Sequence, residues 1–499
     1  MVKRVCLMFP DIFYLIFIKI NCFFILQYLY RFISILRLLV FKFLTFCFSA
    51  LVFMGAISPN SFAQSAIKQA NSPFSKLGFG TMFTPSFSAV GTMGGLGYGY
   101  RNLSNINMVN PAALGALRFT TLETEIGFTN LRVSNSALQK SESGEGNIRY
   151  FAFGFPLRTK YEKQADNQNL DPALKNALTE KASIRSKLIQ GWGLSFGLMP
   201  FNSRNYDLTD KKWHPDLDTI TYRFVGSGQS YQFFAGTGYT YKGFSAGGSI
   251  SYVFGTLRER SIETPGNESD ANLFSTVLQS EDKLGSFIWR AGLQYQHQFD
   301  NSVLTFGVAG HSNTALNSTN NAAWYQAKRS LDQVLLFDTA YTQQTVEGQF
   351  TIPQQIGFGV AWQHQNRLRL MADMQAEQWS QFAKYGQPDA TVQNSQRYAF
   401  GFEYVPDPRA ITKLFRSTQY RFGAFYHAGN LLAKAQPVKA FGASVGLGLP
   451  LRRNNSRINV AVEFGQRGNH ADNGLRETYV MGKLGLTLSD IWFRRYKYE

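Results

Sequence analysis

The stretch Trp192-Gly-Leu-Ser-Phe-Gly-Leu198 decides the fold, because every second residue in it is large and apolar. Glycine or serine stands at each position between the large residues, so the segment has one bulky face and one flat face. A period of two indicates a β-strand, since successive side chains of a strand point to opposite faces of the sheet. The segment therefore predicts a strand with a single apolar face.

The same alternation recurs in short segments from residue 119 onward. In an outer-membrane barrel the bulky face points to lipid and the small polar face lines the interior. Most segments approach the roughly 9–11 residues with which a tilted strand crosses a bilayer. We predict fourteen strands, an even number as in bacterial single-chain barrels, at 119–129, 148–155, 191–198, 231–241, 244–254, 286–297, 303–309, 355–363, 368–377, 397–404, 419–428, 441–449, 457–465 and 478–488.

The connections between these segments alternate between short and long ones. Short connections lie at 241–243, 298–302, 364–367 and 450–456, and long polar ones lie at 199–230, 255–285, 310–354, 378–396 and 466–477. This parity is expected when one barrel end carries turns and the other carries loops, and a soluble sandwich has no reason to keep it. We therefore predict an all-β fold, a transmembrane antiparallel β-barrel of the cell outer membrane. Its long loops lie outside the cell, and both mature termini lie in the periplasm.

One connection breaks the alternation. Residues 156–190 should form a turn, yet they are long and contain a helix-like stretch that starts at Asp171-Pro172. Either this connection is an insertion or a strand has been miscounted there. The connection 405–418 is a milder case.

Residues 1–63 have the pattern of a leader. Arg37 and Lys42 precede an apolar run, and Ser61-Phe62-Ala63 places small residues at a cleavage site, so we expect a signal peptide and a mature chain that starts at Gln64. The run is shorter than the roughly 20 residues of a membrane-spanning helix, which argues against an anchor. The apolar sequence before Arg37 leaves two alternatives: a true start downstream of Met1, or an unusually long signal.

Composition excludes several function classes. The mean hydropathy of −0.18 is too low for a bundle of membrane helices, whereas 15% aromatic residues and 44 glycines suit many strands. All three cysteines, Cys6, Cys22 and Cys47, lie in the leader, so the mature chain has no disulfide or thiol site. The net charge of +17 lies partly in the leader and is otherwise scattered. We therefore expect no nucleic acid as partner, and basic residues that meet outer-membrane lipid or line a lumen.

The sequence offers no motif for catalysis. The six histidines have no metal-ligand spacing, and no G-x-S-x-G turn appears between a strand and a helix. We expect no enzyme, no catalytic residue, no metal site and no cofactor. A Ser/His/Asn site assembled across strands would leave no local pattern and stays open as an alternative.

Residues 64–118 do not alternate. They contain the glycine-rich stretch 91–100 and then Asn110-Pro111-Ala112. A phosphate loop would need a preceding strand and a Lys-Ser/Thr ending, which are missing here. We predict three parts: a leader at 1–63, a compact N-terminal plug at 64–118 that folds into the lumen, and the barrel at 119–499.

The glycine-rich stretch followed by Asn110-Pro111-Ala112 resembles the FadL/TodX-like long-chain fatty-acid transport family of outer-membrane proteins, especially its Bacteroidetes-type relatives. In that family the N-terminal segment forms a hatch inside the barrel, and hydrophobic substrates pass through it or leave sideways through the wall. The resemblance implies passive transport of hydrophobic small molecules such as long-chain fatty acids by a monomer. Secretion-associated barrels resemble the same family. An outer-membrane interaction scaffold that handles exported proteins is therefore the alternative.

Two sets of residues are candidates for the functional site. Apolar and turn-forming residues of the plug are expected to contact a greasy ligand or to pack against the wall: Phe79, Met82, Phe83, Phe87, Met93, Leu96, Asn110 and Pro111. Charges on the small-residue face of the strands are expected in the lumen, because a Lys or Arg that faces lipid costs roughly 2–4 kcal/mol. These are Glu123, Glu125, Arg290, Asp373, Glu403, Arg421 and Glu463. Either they pair across the interior or they form a polar path for a solute.

Overall fold

The computed structural model describes residues 71–137, 139–157, 191–215, 218–266, 274–330, 333–410, 414–451 and 455–490. Residues Ile67–Glu499 form one compact unit. The predicted signal peptide, its cleavage site and most of the 156–190 connection lie outside the described residues.

Fourteen antiparallel strands form a closed barrel wall, because the first strand pairs with both the second and the last. Each predicted strand falls on one wall strand, so the predicted fold class and strand count are confirmed. In chain order the strands are β1 Thr120–Asn135, β2 Lys140–Pro156, β3 Trp192–Ser203, β4 Asp218–Tyr241, β5 Phe244–Thr264, β6 Phe274–Gln298, β7 Ser302–His311, β8 Gln355–His364, β9 Leu368–Glu377, β10 Ser395–Tyr404, β11 Gln419–His427, β12 Ala440–Pro450, β13 Arg457–Arg467 and β14 Leu475–Asp490.

The two faces of the wall differ as the alternation predicts. On β3, Phe196 and Leu198 are each 41% exposed, whereas Ser195 between them is 3% exposed. Large apolar side chains form a band around the outside, and glycine, serine and charged side chains point inward. An apolar outer band is what the hydrocarbon core of a membrane requires of a barrel.

The strands extend much farther at one end of the barrel than at the other. At the turn end, β4 and β5 are joined by Lys242 and Gly243, whose positive φ angles of 45° and 89° suit a tight hairpin turn. At the opposite end, called the loop end, β4, β5 and β6 reach 24, 21 and 25 residues. A strand at Tyr206–His214 and a hairpin of Thr314–Ser330 and Gln333–Ile352 widen this extension.

The prediction of long polar loops at 199–230, 255–285 and 310–354 is therefore wrong, because most of these residues form strands. Polar and charged residues occur on both faces of these strand segments, so the apolar alternation that marks a strand is missing from the sequence, although side chains such as Val277 and Leu284 are buried there. Cross-strand ion pairs connect neighbouring strands there, such as Arg223 with Asp207 at 2.7 Å and Arg258 with Glu281 at 2.8 Å.

The described helices are short. They are the 3₁₀ turns Pro73–Lys76, Pro111–Ala116 and Trp379–Gln381 and the single α-helical turns Ser88–Gly91, Leu414–Ser417 and His470–Asn473. In the described part of the chain, no helix is both long enough and apolar enough to cross a bilayer. Short strand pairs at Ala383–Lys384 with Gln387–Pro388 and at Leu432–Ala433 with Gln436–Pro437 complete the loop end.

Residues 71–118, called the inner segment, lie against the inward face of the wall. The segment begins at the loop end, where the Asn71 backbone N–H donates to Ser143 Oγ at 3.0 Å. Thr81 and Met82 then pair with the end of β3, and the segment reaches the turn end at the start of β1. Asn71 and Asp490 thus lie at opposite ends of the barrel. Residues 64–70, which carry the predicted mature N-terminus, lie outside the described residues.

Candidate functional site

The wall is split between β2 and β3. The two strands pair only where Phe151–Pro156 meets Gly193–Leu198, and the described residues Lys140–Tyr150 pair with β1 alone. Pro200 lies within β3, two residues after the pairing with β2 ends at Leu198, and the register of β3 against β4 shifts between Pro200 and Asn202. Proline cannot donate to a ladder and is found at strand edges and bulges. The sequence of β3 therefore ends the pairing with β2.

A cavity of about 390 Å³ lies behind this split. Both edges of the split line it, with Asn147 and Arg149 on β2 and Met199 and Phe201 on β3. Residues 81–86 of the inner segment also line it. The cavity therefore lies directly against the opening between the two strands, and its volume falls within the roughly 300–1,000 Å³ of small-molecule sites.

The cavity lining is both apolar and charged. Apolar side chains come from the inner segment and from four other strands or loops: Met82, Phe83, Met108, Met199, Phe201, Ile288, Ile352 and Leu431. Two guanidinium groups point into the same space and donate to neutral acceptors. Arg290 donates to Gln355 Oε1 at 3.1 Å, and Arg397 donates to Thr84 Oγ1 at 2.9 Å. Such a lining suits a molecule with an apolar body and a polar end.

The half of the lumen nearer the turn end is filled by the inner segment. Asn110 organises this part: its Oδ1 accepts from the Ala112 N–H at 3.1 Å and caps the 3₁₀ turn Pro111–Ala116. Its Nδ2 donates to the carbonyls of Tyr98, Leu293 and Val308 at 2.9, 3.1 and 3.3 Å. Asn110 thereby joins the inner segment to both β6 and β7.

The inner segment approaches the wall closely where the wall carries glycine. A Cβ at Gly307 of β7 would lie 1.9 Å from the carbonyl oxygen of Tyr98. The Tyr98 N–H donates to Asp373 Oδ1 at 3.0 Å, and its hydroxyl donates to Gln375 at 2.8 Å. Burial raises the pKa of the Tyr98 and Tyr100 phenols to about 12, so both stay protonated at neutral pH.

The predicted ligand and plug residues separate into two groups. Met82 and Phe83 line the cavity. The others are buried: Phe79 packs among Phe201, Phe350 and Phe382, and Phe87 stacks on Tyr150 at 4.0 Å. Met93, Leu96, Asn110 and Pro111 are also buried, against wall strands and within the inner segment.

The predicted lumen charges all lie on the inward face. Glu125 pairs with Arg149 at 3.3 Å, and Glu463 pairs with Lys483 at 2.6 Å. Glu403 pairs with Arg369 and with Arg421, each at 2.8 Å. Glu123 and Asp373 instead hold the inner segment, since Glu123 accepts from the Ile106 N–H at 3.1 Å and Asp373 from Tyr98. Arg290, the only arginine among these seven residues that lines the cavity, donates to the Val109 carbonyl and to Gln355. Within the described residues it makes no hydrogen bond to a carboxylate.

Sequence reasoning missed several functional candidates. Arg397 and Arg369 point inward, and their positions on the small-residue face of predicted strands could have identified them. Lys483, which shares a face with Tyr479, points inward to Glu463. His427 and Glu377 both line the cavity with 3.9 Å between them, and no sequence spacing links them. The described residues hold no cluster of three or more His, Cys, Asp or Glu that could bind a metal ion.

Several solved structures have a similar fold. The chain is similar to a Pseudomonas aeruginosa FadL homologue, at 12% identity over 82% of this chain and 99% of that one, with a TM-score of 0.52. For the P. putida toluene transporter TodX the identity is 14%, the coverage 83% and 100%, and the TM-score 0.51. For the CymD monoaromatic hydrocarbon channel the identity is 11%, the coverage is 83% of this chain and 100% of that one, and the TM-score is 0.50. At these identities the likeness concerns the fold alone, and it confirms the predicted FadL/TodX-like resemblance.

No curated protein sequence matches the chain. A family model does, over residues 46–165 and 162–499, which together span nearly the whole sequence. The chain belongs to the BamG family.

Proposed function

We propose that this protein is a passive outer-membrane carrier of hydrophobic small molecules, such as long-chain fatty acids, that releases its ligand sideways through the wall. The observation that carries the proposal is the cavity behind the split between β2 and β3. The split reaches into the apolar band, since Ile148 beside it is 65% exposed and Gly146 pairs with the outward-facing Phe128. A ligand in the cavity therefore has a short path to the lipid.

The sideways route follows from the filling of the lumen. Tyr98, Tyr100, Leu96 and Asn110 are fully buried in the half nearer the turn end. We propose that residues 64–118 act as a plug that blocks this half, so a ligand that enters at the loop end leaves through the split. In this proposal the protein is a monomer, the loop end faces the cell exterior, the barrel ends of β1 and β14 face the periplasm, and no catalytic step or cofactor takes part.

The comparisons support the ligand class. The solved relatives with this fold carry names of a toluene transporter and a monoaromatic hydrocarbon channel. The cavity of this protein adds arginines to an apolar lining, which favours ligands with a polar end over plain hydrocarbons.

Detection of a ligand that stays bound during purification tests the proposal directly. Residues 64–499 are purified in mild detergent and analysed by native mass spectrometry, followed by lipid analysis of any retained molecule. Ser251→Trp places a large side chain in the cavity, because Ser251 lines it. Tyr252→Trp is the matched control, since Tyr252 is 40% exposed on the outward face. We expect a stoichiometric apolar molecule on the unmodified chain and on Tyr252→Trp, and its loss from Ser251→Trp. An empty unmodified barrel, or equal retention by Ser251→Trp, would contradict the proposal.

A second candidate function, an interaction scaffold for exported proteins, is favoured by the sheet at the loop end. Leu278, Trp324 and Tyr341 lie side by side on three neighbouring strands and are 53%, 47% and 53% exposed. Exposed aromatic clusters of this kind are typical of protein contacts. A barrel that holds no ligand but co-purifies with a protein, and loses that protein on deletion of 314–352, would support the scaffold instead.

A further inference from the structure

A cluster of arginines lies at the turn end of the lumen, apart from the cavity. Arg369, Arg421 and Arg457 stand on β9, β11 and β13, and none of them lines the cavity. Glu403 of β10 accepts from Arg369 through one oxygen and from Arg421 through the other. Two of the three guanidinium groups thus share one carboxylate, whose two oxygens are both occupied.

The cluster is enclosed by the inner segment. The Arg369 guanidinium carbon lies 4.9 Å from the centre of the Tyr100 ring. Arg457 interacts electrostatically with Arg421, Glu403 and Tyr100. Tyr100 is fully buried and Arg421 is 4% exposed, whereas Arg457 is half-buried. Arg457 therefore stands between the cluster and the solvent at the turn end.

Polar atoms in this cluster lack partners. Among the described residues, the Tyr100 hydroxyl and the Arg457 Nη1 are buried and make no hydrogen bond. Both are donors, and Arg457 carries a charge, so leaving them unpaired costs free energy. Arg421 also donates through its Nη1 to Asn459 at 2.7 Å and through its Nη2 to Gln419. A hydrogen-bond acceptor, and most of all an anionic one, would therefore stabilise the Tyr100 hydroxyl and the Arg457 Nη1.

Glu123, the other acid close to the cluster, does not accept from these two donors. Glu123 interacts with Arg421, but one of its oxygens already accepts from the Asn105 side chain at 3.0 Å and from the Ile106 N–H at 3.1 Å. Its other oxygen is buried and makes no hydrogen bond, so it accepts from neither the Tyr100 hydroxyl nor the Arg457 guanidinium. The excess of positive charge remains.

We propose that this turn-end cluster binds a small monovalent anion of halide size, held by the Arg457 guanidinium and the Tyr100 hydroxyl next to Arg421. The enclosure by nearly fully buried side chains favours a spherical ion over a larger oxyanion. The anion neutralises the excess charge and fastens Tyr100, and with it the inner segment, to the wall. This site is separate from the cavity, so it does not depend on the proposed carrier function.

The test compares chloride with gluconate at constant ionic strength. Residues 64–499 in detergent are heated, and the unfolding midpoint is read from the mobility shift of the barrel on gels. An anion that binds only the folded state raises the midpoint as its concentration rises. We expect this rise for the unmodified chain and its loss in Tyr100→Phe, which removes only the hydroxyl, and in Arg457→Gln.

Tyr98→Phe is the matched control, because it removes a buried hydroxyl of the same segment that donates to Gln375. We expect this variant to have a lower midpoint and an unchanged response to chloride. Crystals soaked in bromide should show anomalous density between Arg457 and Tyr100. Equal midpoints in chloride and gluconate for the unmodified chain, an undiminished response in Arg457→Gln, or a water or side chain at that position would each overturn the proposal.

Discussion

Replacement of Asn110 by alanine tests whether one side chain fixes the inner segment to the wall. Asn110 is fully buried and makes four hydrogen bonds of 2.9–3.3 Å through its side chain. The substitution leaves the buried Ala112 N–H without its cap, which costs roughly 1–3 kcal/mol. Loss of the remaining donor adds about 1 kcal/mol.

The expected total is about 3 kcal/mol, which corresponds to roughly a hundredfold larger fraction of molecules with a detached inner segment. Hydrogen exchange of the amides in Pro111–Ala116 measures this fraction, since exchange of these amides requires the cap and the turn to open. Asn130→Ala is the control, because Asn130 is exposed on the outward face of β1. Exchange that is no faster in Asn110→Ala than in Asn130→Ala would refute the anchoring role of Asn110.

Three further substitutions test the interior and the loop end. Glu403→Gln leaves Arg369 and Arg421 buried without their carboxylate, and we expect a loss of about 3–5 kcal/mol in the free energy of unfolding, measured by urea titration in detergent. Gly307→Ala forces a Cβ against the Tyr98 carbonyl and should cost about 1–3 kcal/mol in the same titration, whereas Gly482→Ala, which meets its nearest atom only at 4.0 Å, should have little effect. Arg258→Ala removes an ion pair with Glu281 in which the arginine side chain is 57% exposed, so we expect a change below about 1 kcal/mol that disappears in high salt.

The wall was predictable from the sequence because lipid imposes a period of two on every strand that crosses it. This alternation is visible within a short stretch of sequence, for example at Phe196 and Leu198. The outer parts of β4, β5 and β6 lack it, because polar and charged residues there interrupt the apolar alternation on both faces. The prediction therefore ended each of these strands near the edge of the apolar band.

The candidate site was predictable only in part. Charges such as Glu403 and Arg421 could be assigned to the interior from their face of the strand, but their pairing depends on the order of strands around the wall. Pro200, two residues after the alternating segment 192–198, was a visible sign of the split in the wall. The path of the inner segment was not predictable, because its contacts join residues hundreds of positions apart, such as Ser72 and Glu477.

The position of the inner segment restricts the order in which the protein can assemble. The barrel closes where β1 meets β14, and these strands lie at the two ends of the barrel sequence. The segment joins directly to β1 and touches strands all around the wall, including β6, β7 and β14. A ring that closed first would have to admit about fifty residues through a narrow opening. We therefore expect β1 and β14 to meet last, around a segment already in place, and contacts this distant in sequence form slowly.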